Sequence, residues 1–262
     1  MVDEDRLIRV FERVEATLKQ VGDLPEDSRE MYGISYGQRV LPVRTGQEFD
    51  NEYYLAMCFV VFFSGFRSEV VLKKAGRINH YFGQVEAAAR MKPADIEALL
   101  MDTTMIRNRR KVEACVHNAR EFLRVRDSHG SFGGLLLGHG RPDTINGEAL
   151  ETLRNLLMTG FRYMGPATVN HFLLDYGYPV LKPDRMVMRV LHRTGLIPGT
   201  EERHYPQASE HCRTIAVRLG LSTRYVDWVL VGLGMEGRAG LCRKNDPACG
   251  RCLVDDLCGF GK

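Results

Sequence analysis

The sequence predicts an all-α protein, and three observations predict it. Apolar residues recur at helical spacing in one stretch after another. No segment shows the alternation of a half-buried strand, and glycines fall where successive helices would stop. At 262 residues the chain is long enough for one large domain or two compact lobes, each with its own core.

Leu7, Ile8, Val10, Phe11, Val14, Leu18 and Val21 mark an amphipathic first helix. Residues 25–48, rich in Gly, Pro and polar side chains, read as an extended connection. Asp50 or Asn51 is placed to cap the next helix, whose body YYLAMCFVVFF is apolar nearly all round and belongs at the centre of a bundle. Further helices are expected over 68–81, 93–101, 107–126, 147–159, 166–176, 185–194, 206–219 and 223–234. Gly130, Gly140, Gly177, Gly195 and Gly220 mark helix ends, and Pro93 and Pro206 suit first turns. The segment SHGSFGGLLLGHG, 128–140, lacks the Lys-Ser/Thr ending of a phosphate-binding loop and reads as plain connection. Trp228, in YVDWVLVGLG, reads as core.

Composition excludes some classes and leaves function open. Hydrophobic content of 44% and charged content of 26% are ordinary for a soluble globular protein. The N-terminal MVDEDRLIRVFERV is acidic and amphipathic, without the layout of a signal peptide. The longest apolar run, near Leu55 to Phe63, is too short to cross a bilayer. A cytoplasmic monomer without membrane attachment is therefore expected. The net charge of +3 permits a local nucleic-acid-binding face without requiring one.

Seven cysteines are unevenly spread. Cys58, Cys115 and Cys212 sit singly among apolar neighbours and read as core. Cys242, Cys249, Cys252 and Cys258 crowd together with the spacing C-x6-C-x2-C-x5-C. Four thiolates on short loops suit a tetrahedral zinc or a cubane iron–sulfur cluster, and ligand softness does not separate the two. The eight histidines show no metal-ligand spacing.

The run Cys242-RKNDPA-Cys249-GR-Cys252-LVDDL-Cys258 resembles the cluster loop of endonuclease III and the related adenine-mispair glycosylases. The resemblance implies a [4Fe–4S] cluster on these four cysteines. It also implies that nearby basic residues, here Arg243, Lys244 and Arg251, approach DNA phosphates. Independently, GFRYMGPATVNHFLLDYGYPVLKPDRMVMRVLHRTG, 160–195, resembles the helix-hairpin-helix and catalytic aspartate of the same glycosylase superfamily. There a tight hairpin offers backbone N–H groups to a phosphate at a helix N-terminus. Tyr163, Met164, Gly165, Ala167 and Thr168 occupy that hairpin, with Tyr163 where the family usually has its first glycine. Lys182, in the loop that follows, is a further candidate phosphate contact.

Asp184 stands where the superfamily's V-D-x-x-x-x-R-V pattern puts its catalytic carboxylate. A fixed carboxylate can stabilise the oxocarbenium-like charge of N-glycosidic cleavage and orient a water. Alone, an aspartate before a helix reads more readily as an N-cap. Bifunctional members carry a lysine nucleophile in the second hairpin helix. Ala167 takes that position here, which implies base release without strand cleavage.

A third resemblance covers about 53–126. FSGFRSEVVLKKAGRINHYF and IRNRRKVEACVHNAREFL are similar to 3-methyladenine DNA glycosylase I. Aligning on Val71-Leu72-Lys73-Lys74 puts Val60 where that family has a base-reading glutamate. Phe66, in Ser64-Gly65-Phe66-Arg67, stands where relatives place the wedge that fills the gap left by a flipped base. Tyr53, Tyr54, Phe62 and Phe63 are candidates for stacking that base, or else core aromatics. The basic run 107–111 reads as a phosphate track or a solvated helix face.

Together these readings imply an all-α, two-lobed helix-hairpin-helix glycosylase with a C-terminal cluster loop, 242–258. One lobe is expected over 49–178 and the other over 1–48 with 179–262. The expected partner is duplex DNA with a damaged base, and the expected activity is monofunctional base release. An alkylated purine such as 3-methyladenine leads, followed by uracil or another modified base. A catalytically silent lesion-binding protein is the rival from another class.

Overall fold

A computed structural model describes residues 3–32 and 40–260, and among them no β-strand occurs. Contacts divide the chain into two units, residues 1–41 with 173–262, and residues 42–172.

The discontinuous unit begins with α1 (Glu4–Gln20), whose first-turn N–H is capped by Asp3. Its stripe of Leu7, Val10, Phe11, Val14 and Leu18 is buried, as the periodicity requires. It packs on α13 (Tyr205–Leu219) and α14 (Thr223–Gly234), and α14 packs along α12 (Arg185–Arg193). The core joins α1 to Val187, Leu191, Ile215, Val229 and Leu233. The chain also forms a short α2 (Ser28–Tyr32), within the stretch expected to be extended. Residues 33–39 of that stretch lie outside the described residues. Trp228 is half-buried, with the Arg238 guanidinium 3.6 Å above its ring.

The continuous unit is built on α3 (Asp50–Phe63), followed by α4 (Ser68–Lys73), α5 (Ala75–Phe82), α6 (Val85–Ala89) and α7 (Pro93–Met101). The long α8 (Arg109–His129), α9 (Phe132–His139), α10 (Gly147–Gly160) and the start of α11 (Pro166–Asp175) complete it. A stacked pair at its centre, Phe122 on Phe132 at 4.4 Å, is ringed by Tyr53, Tyr54, Phe161 and Phe172. Cys58 and Cys115 are buried here, and Cys212 in the other unit.

Two expectations are corrected. Neither Asp50 nor Asn51 caps α3. Asp50 Oδ1 accepts the Phe132 N–H at the start of α9, and Asn51 Oδ1 accepts the Val85 N–H at the start of α6. Each cap serves a helix distant in sequence. The second correction is α9 itself, which lies inside the Gly-rich segment read as connection. Ser131 caps it through the Gly134 N–H. Gly133 is there for close approach, because a Cβ would sit 1.9 Å from the Arg44 carbonyl oxygen.

Candidate active site

In the continuous unit, the expected wedge loop and hairpin meet around Lys111. This residue belongs to the basic run, yet it is only 4% exposed. Its ammonium donates to the carbonyls of Val61 and Ser64, at the C-terminal end of α3, where the helix dipole favours a cation. The same ammonium lies 5.6 Å from the Phe66 ring centroid and 5.2 Å from that of Tyr163. Burial pulls its pKa down to about 8. The rest of the run divides by role. Asn108 caps α8, Arg109 forks onto Glu97 at 2.6 Å, and Arg107 and Arg110 face solvent.

The hairpin is held from behind by Asn118. Its side chain donates to the Arg162 carbonyl at 2.9 Å and accepts the Arg162 N–H at 2.8 Å. Tyr163 then takes φ of 60°, the left-handed conformation that a glycine adopts without strain. The backbone thus keeps the turn that the family makes with glycine. Met164 is buried and anchors the loop, while Tyr163 and Gly165 are exposed. Among the described residues the N–H groups of Met164, Gly165 and Ala167 donate to no acceptor. That is the state required of donors to a phosphate. Thr168 is half-buried, its N–H bonded to the Gly165 carbonyl.

The five pocket candidates do not share one environment. Tyr53, Tyr54, Val60 and Phe62 are at most 3% exposed. Tyr53 bonds both the N–H and the carbonyl of Arg44, and Phe62 packs on Phe82. Phe63 is half-buried, beside Phe59 and His171.

In the discontinuous unit, Asp184 is the N-cap of α12. Oδ1 accepts the Met186 and Val187 N–H groups, both at 2.9 Å. These donors and the helix N-terminus stabilise negative charge on the carboxylate. Oδ2 takes no hydrogen bond among the described residues, so capping and catalysis are compatible in one side chain. Lys182 is half-buried, its carbonyl accepting the Asp184 N–H at 2.8 Å.

The four C-terminal cysteines line one pocket, partly open to solvent, with Val190, Leu233, Leu241 and Val254 in its walls. Among the described residues no three Cys, His, Asp or Glu side chains gather closely enough to hold a single metal ion. Arg193 of α12, 9% exposed, donates to the Cys242 sulfur at 3.4 Å and to the carbonyls of Arg243 and Lys244. Helix α1 clasps the same loop: Arg6 donates to the Leu257 carbonyl, Arg13 to that of Leu253, and Thr17 accepts the Leu253 N–H. Of the basic residues expected to approach phosphate, Lys244 and Arg251 are exposed, and Arg243 faces Asp246 at 3.6 Å.

The methyladenine glycosylase family profile matches residues 45–179, just over half of the chain. The chain belongs to the methyladenine glycosylase family. It is thereby a DNA glycosylase of base excision repair. No curated protein sequence matches this glycosylase. Among solved structures, 3-methyladenine DNA glycosylase I from Staphylococcus aureus is 25% identical over 53% of this chain and 79% of its own, with a TM-score of 0.44. The 8-oxoguanine glycosylase/lyase of Methanocaldococcus jannaschii, solved with a 15mer DNA containing 8-oxoguanine, covers 85% of this glycosylase and 95% of its own chain. It is 18% identical, with a TM-score of 0.57. The 8-oxoguanine DNA glycosylase of Thermotoga maritima, also 18% identical, covers 87% and 95% with a TM-score of 0.52. The latter two share the fold across both units. The family match itself ends before Asp184 and the four cysteines.

Sequence reasoning missed Asn118, Arg193 and Asp227 of this glycosylase, and it read Lys111 only as part of the basic run. For Asp227 a signal was present: it is a lone acid in the apolar helical run YVDWVLVG. For Arg193 and Asn118 the partners are backbone groups far along the chain, which sequence spacing does not announce.

Proposed function

We propose that this glycosylase is monofunctional, removes an alkylated purine such as 3-methyladenine from duplex DNA, and uses Asp184 as its catalytic carboxylate. The observation that carries this is the geometry of Asp184: Oδ1 is fixed by two N–H donors while Oδ2 remains available. The C1′–N bond breaks with its electron pair leaving on the base. Asp184 stabilises the cationic sugar and takes a proton from the water whose oxygen bonds to C1′. A purine alkylated on a ring nitrogen carries formal positive charge and leaves as a neutral base. It therefore needs no general acid, and Asp184 suffices. Ala167, in place of a lysine nucleophile, supports release without strand cleavage.

The cysteine loop fits a [4Fe–4S] cluster held by Cys242, Cys249, Cys252 and Cys258. The C-x6-C-x2-C-x5-C spacing, which resembles the cluster loop of endonuclease III, favours this reading over a single tetrahedral zinc. The buried Arg193 cation beside the Cys242 sulfur is matched to an anionic ligand set. Such a cluster would be structural, tying the C-terminal loop to α12 and α1.

The deciding experiment is a panel of duplexes, each with one lesion, scored for alkali-labile abasic sites with wild type and Asp184→Asn. Release of an alkylated purine by wild type and its loss in the variant is the expected result. Unchanged release by the variant sinks the catalytic assignment, and a borohydride-trapped DNA adduct sinks the monofunctional one. Iron and sulfide near four each per chain support the cluster; stoichiometric zinc overturns it. Val60, apolar and buried where the related enzyme has glutamate, favours a second reading in which another modified base is excised. The same panel separates the two.

A further inference from the structure

Helix α14, packed along the α12 that Asp184 caps, carries a second carboxyl. Asp227 is 4% exposed, and its Oδ1 has no hydrogen-bond partner. The Lys182 backbone N–H is its hydrogen-bonding neighbour. Four groups with charge or a titratable proton face it. Lys182 and Asp184 come from the segment entering α12, Arg224 from one turn earlier on α14, and the buried Cys212 thiol from α13. Arg224 is itself paired with Asp175 at 3.0 Å. The one buried acid of α1 turns elsewhere, because Glu15 bonds the Tyr225 hydroxyl, on the opposite side of α14. The α12 arginines 189 and 193 turn to the cysteine loop.

A buried carboxyl with an unpaired oxygen is costly, and an ionised one more so. Asparagine would accept the Lys182 N–H equally well and bring no charge to bury. What aspartate adds at this position is a proton that can come off. We propose that Asp227 is a positioning residue of the glycosylase, a buried partner carboxyl that keeps a proton beside Asp184 and, on releasing it, strengthens Asp184 as base and as counter-charge to the sugar cation. This rests on the reading of Asp184 as the catalytic carboxylate.

Burial, reinforced by the Asp184 charge and opposed by Arg224 and Lys182, pushes the Asp227 carboxyl up to about 7. A nearby like charge disfavours ionisation of a buried carboxyl, so the Asp184 charge helps Asp227 hold its proton. With Asp227 protonated the site carries one negative charge, and with it ionised, two. The second charge makes Asp184 hold a proton taken from water more tightly, and it deepens the potential at the cationic sugar. Both effects speed the reaction as pH rises.

The test combines ¹³C-carboxyl NMR of aspartate-labelled, full-length protein as purified with single-turnover release of purines from methylated duplex DNA. One carboxyl is expected to titrate near neutral pH, to vanish in Asp227→Asn, and to move down by about one unit in Asp184→Asn. Wild-type release is expected to rise about tenfold from pH 6 to pH 8, the equivalent of that one unit. Asp227→Asn should stay flat at the acid-side rate. A midpoint unmoved by Asp184→Asn overturns the proposal without any need for Asp227→Asn to fold. An Asp227→Asn protein with the wild-type pH profile, alongside an inactive Asp184→Asn, overturns this proposal alone. An Asp184→Asn protein of full activity overturns both it and the reading on which it rests.

Discussion

Arg193 donates to the sulfur of Cys242 at 3.4 Å from the inner face of α12. Its other donors hold the carbonyls of Arg243 at 2.7 Å and Lys244 at 3.0 Å. The Phe260 ring covers the guanidinium at 3.7 Å. One side chain therefore fixes the start of the cysteine loop and closes it from above.

Replacing Arg193 by Met keeps the bulk and removes all these donors. Two carbonyls of the loop are left unpaired, and a loss of about 3 kcal/mol is expected. Urea unfolding read by circular dichroism measures it. On the proposed [4Fe–4S] cluster, the purified variant should also retain less iron per chain than wild type, read by metal analysis.

Lys111 gives a prediction that separates structure from phosphate contact. Lys111→Met removes the cap on the α3 carbonyls and should cost about 2–3 kcal/mol. Because Lys111 is buried, the slope of DNA affinity against salt should not change. Substituting exposed Arg107 or Arg110 should instead lower that slope by about one where the residue meets a phosphate. Fluorescence anisotropy across a salt series reads all three.

Tyr163 holds a left-handed backbone without being glycine. Tyr163→Gly relieves about 1 kcal/mol of backbone strain, which offsets the lost contact with the Lys111 ammonium. Its melting temperature should be no lower than wild type. Tyr163→Val, with a β-branched side chain at the same φ, should melt several degrees lower.

Asp227 also carries a stability signature with a definite sign. Its carboxyl is raised from 3.8 to about 7 on folding, so the folded state holds the proton more tightly. The associated stability is fully present below pH 4 and is lost as pH rises through 7. The loss amounts to about 4 kcal/mol at most. Asp227→Asn should therefore stabilise the protein at pH 8 and lose that advantage at pH 4, checked by thermal melts at both.

Much of this arrangement is legible in the sequence where its cause is local. The buried stripe Leu7, Val10, Phe11, Val14 and Leu18 follows from helical periodicity, and the Asp184 cap from an aspartate placed before a helix. Where the cause is tertiary, the sequence misleads. Asp50 and Asn51 look like caps for α3 but serve α9 and α6, because a cap's target is decided by what packs against it. Helix α9 hides among glycines because one of them is required by the approach of the Arg44 carbonyl. Lys111 sits in a run of exposed-looking cations, and only the end of α3 explains its burial.

Gly133 offers a direct check of that explanation. A methyl group there meets backbone, which cannot swing aside as a side chain can. Gly133→Ala should destabilise the protein by about 2 kcal/mol or more despite alanine's better helix propensity. Denaturant unfolding beside a Gly138→Ala control, whose added Cβ meets nothing within 4 Å, makes the comparison.

The clasp of α1 on the cysteine loop has a consequence for synthesis on the ribosome. Thr17 and Leu253 are bonded across nearly the whole chain, and the apolar stripe of α1 packs on α13 and α14, so α1 cannot reach its partners until those late helices have emerged. Residues 42–172 form a contiguous unit that can fold while translation continues. The apolar stripe of α1 must meanwhile wait uncovered, a window in which a chaperone or an aggregate could take it.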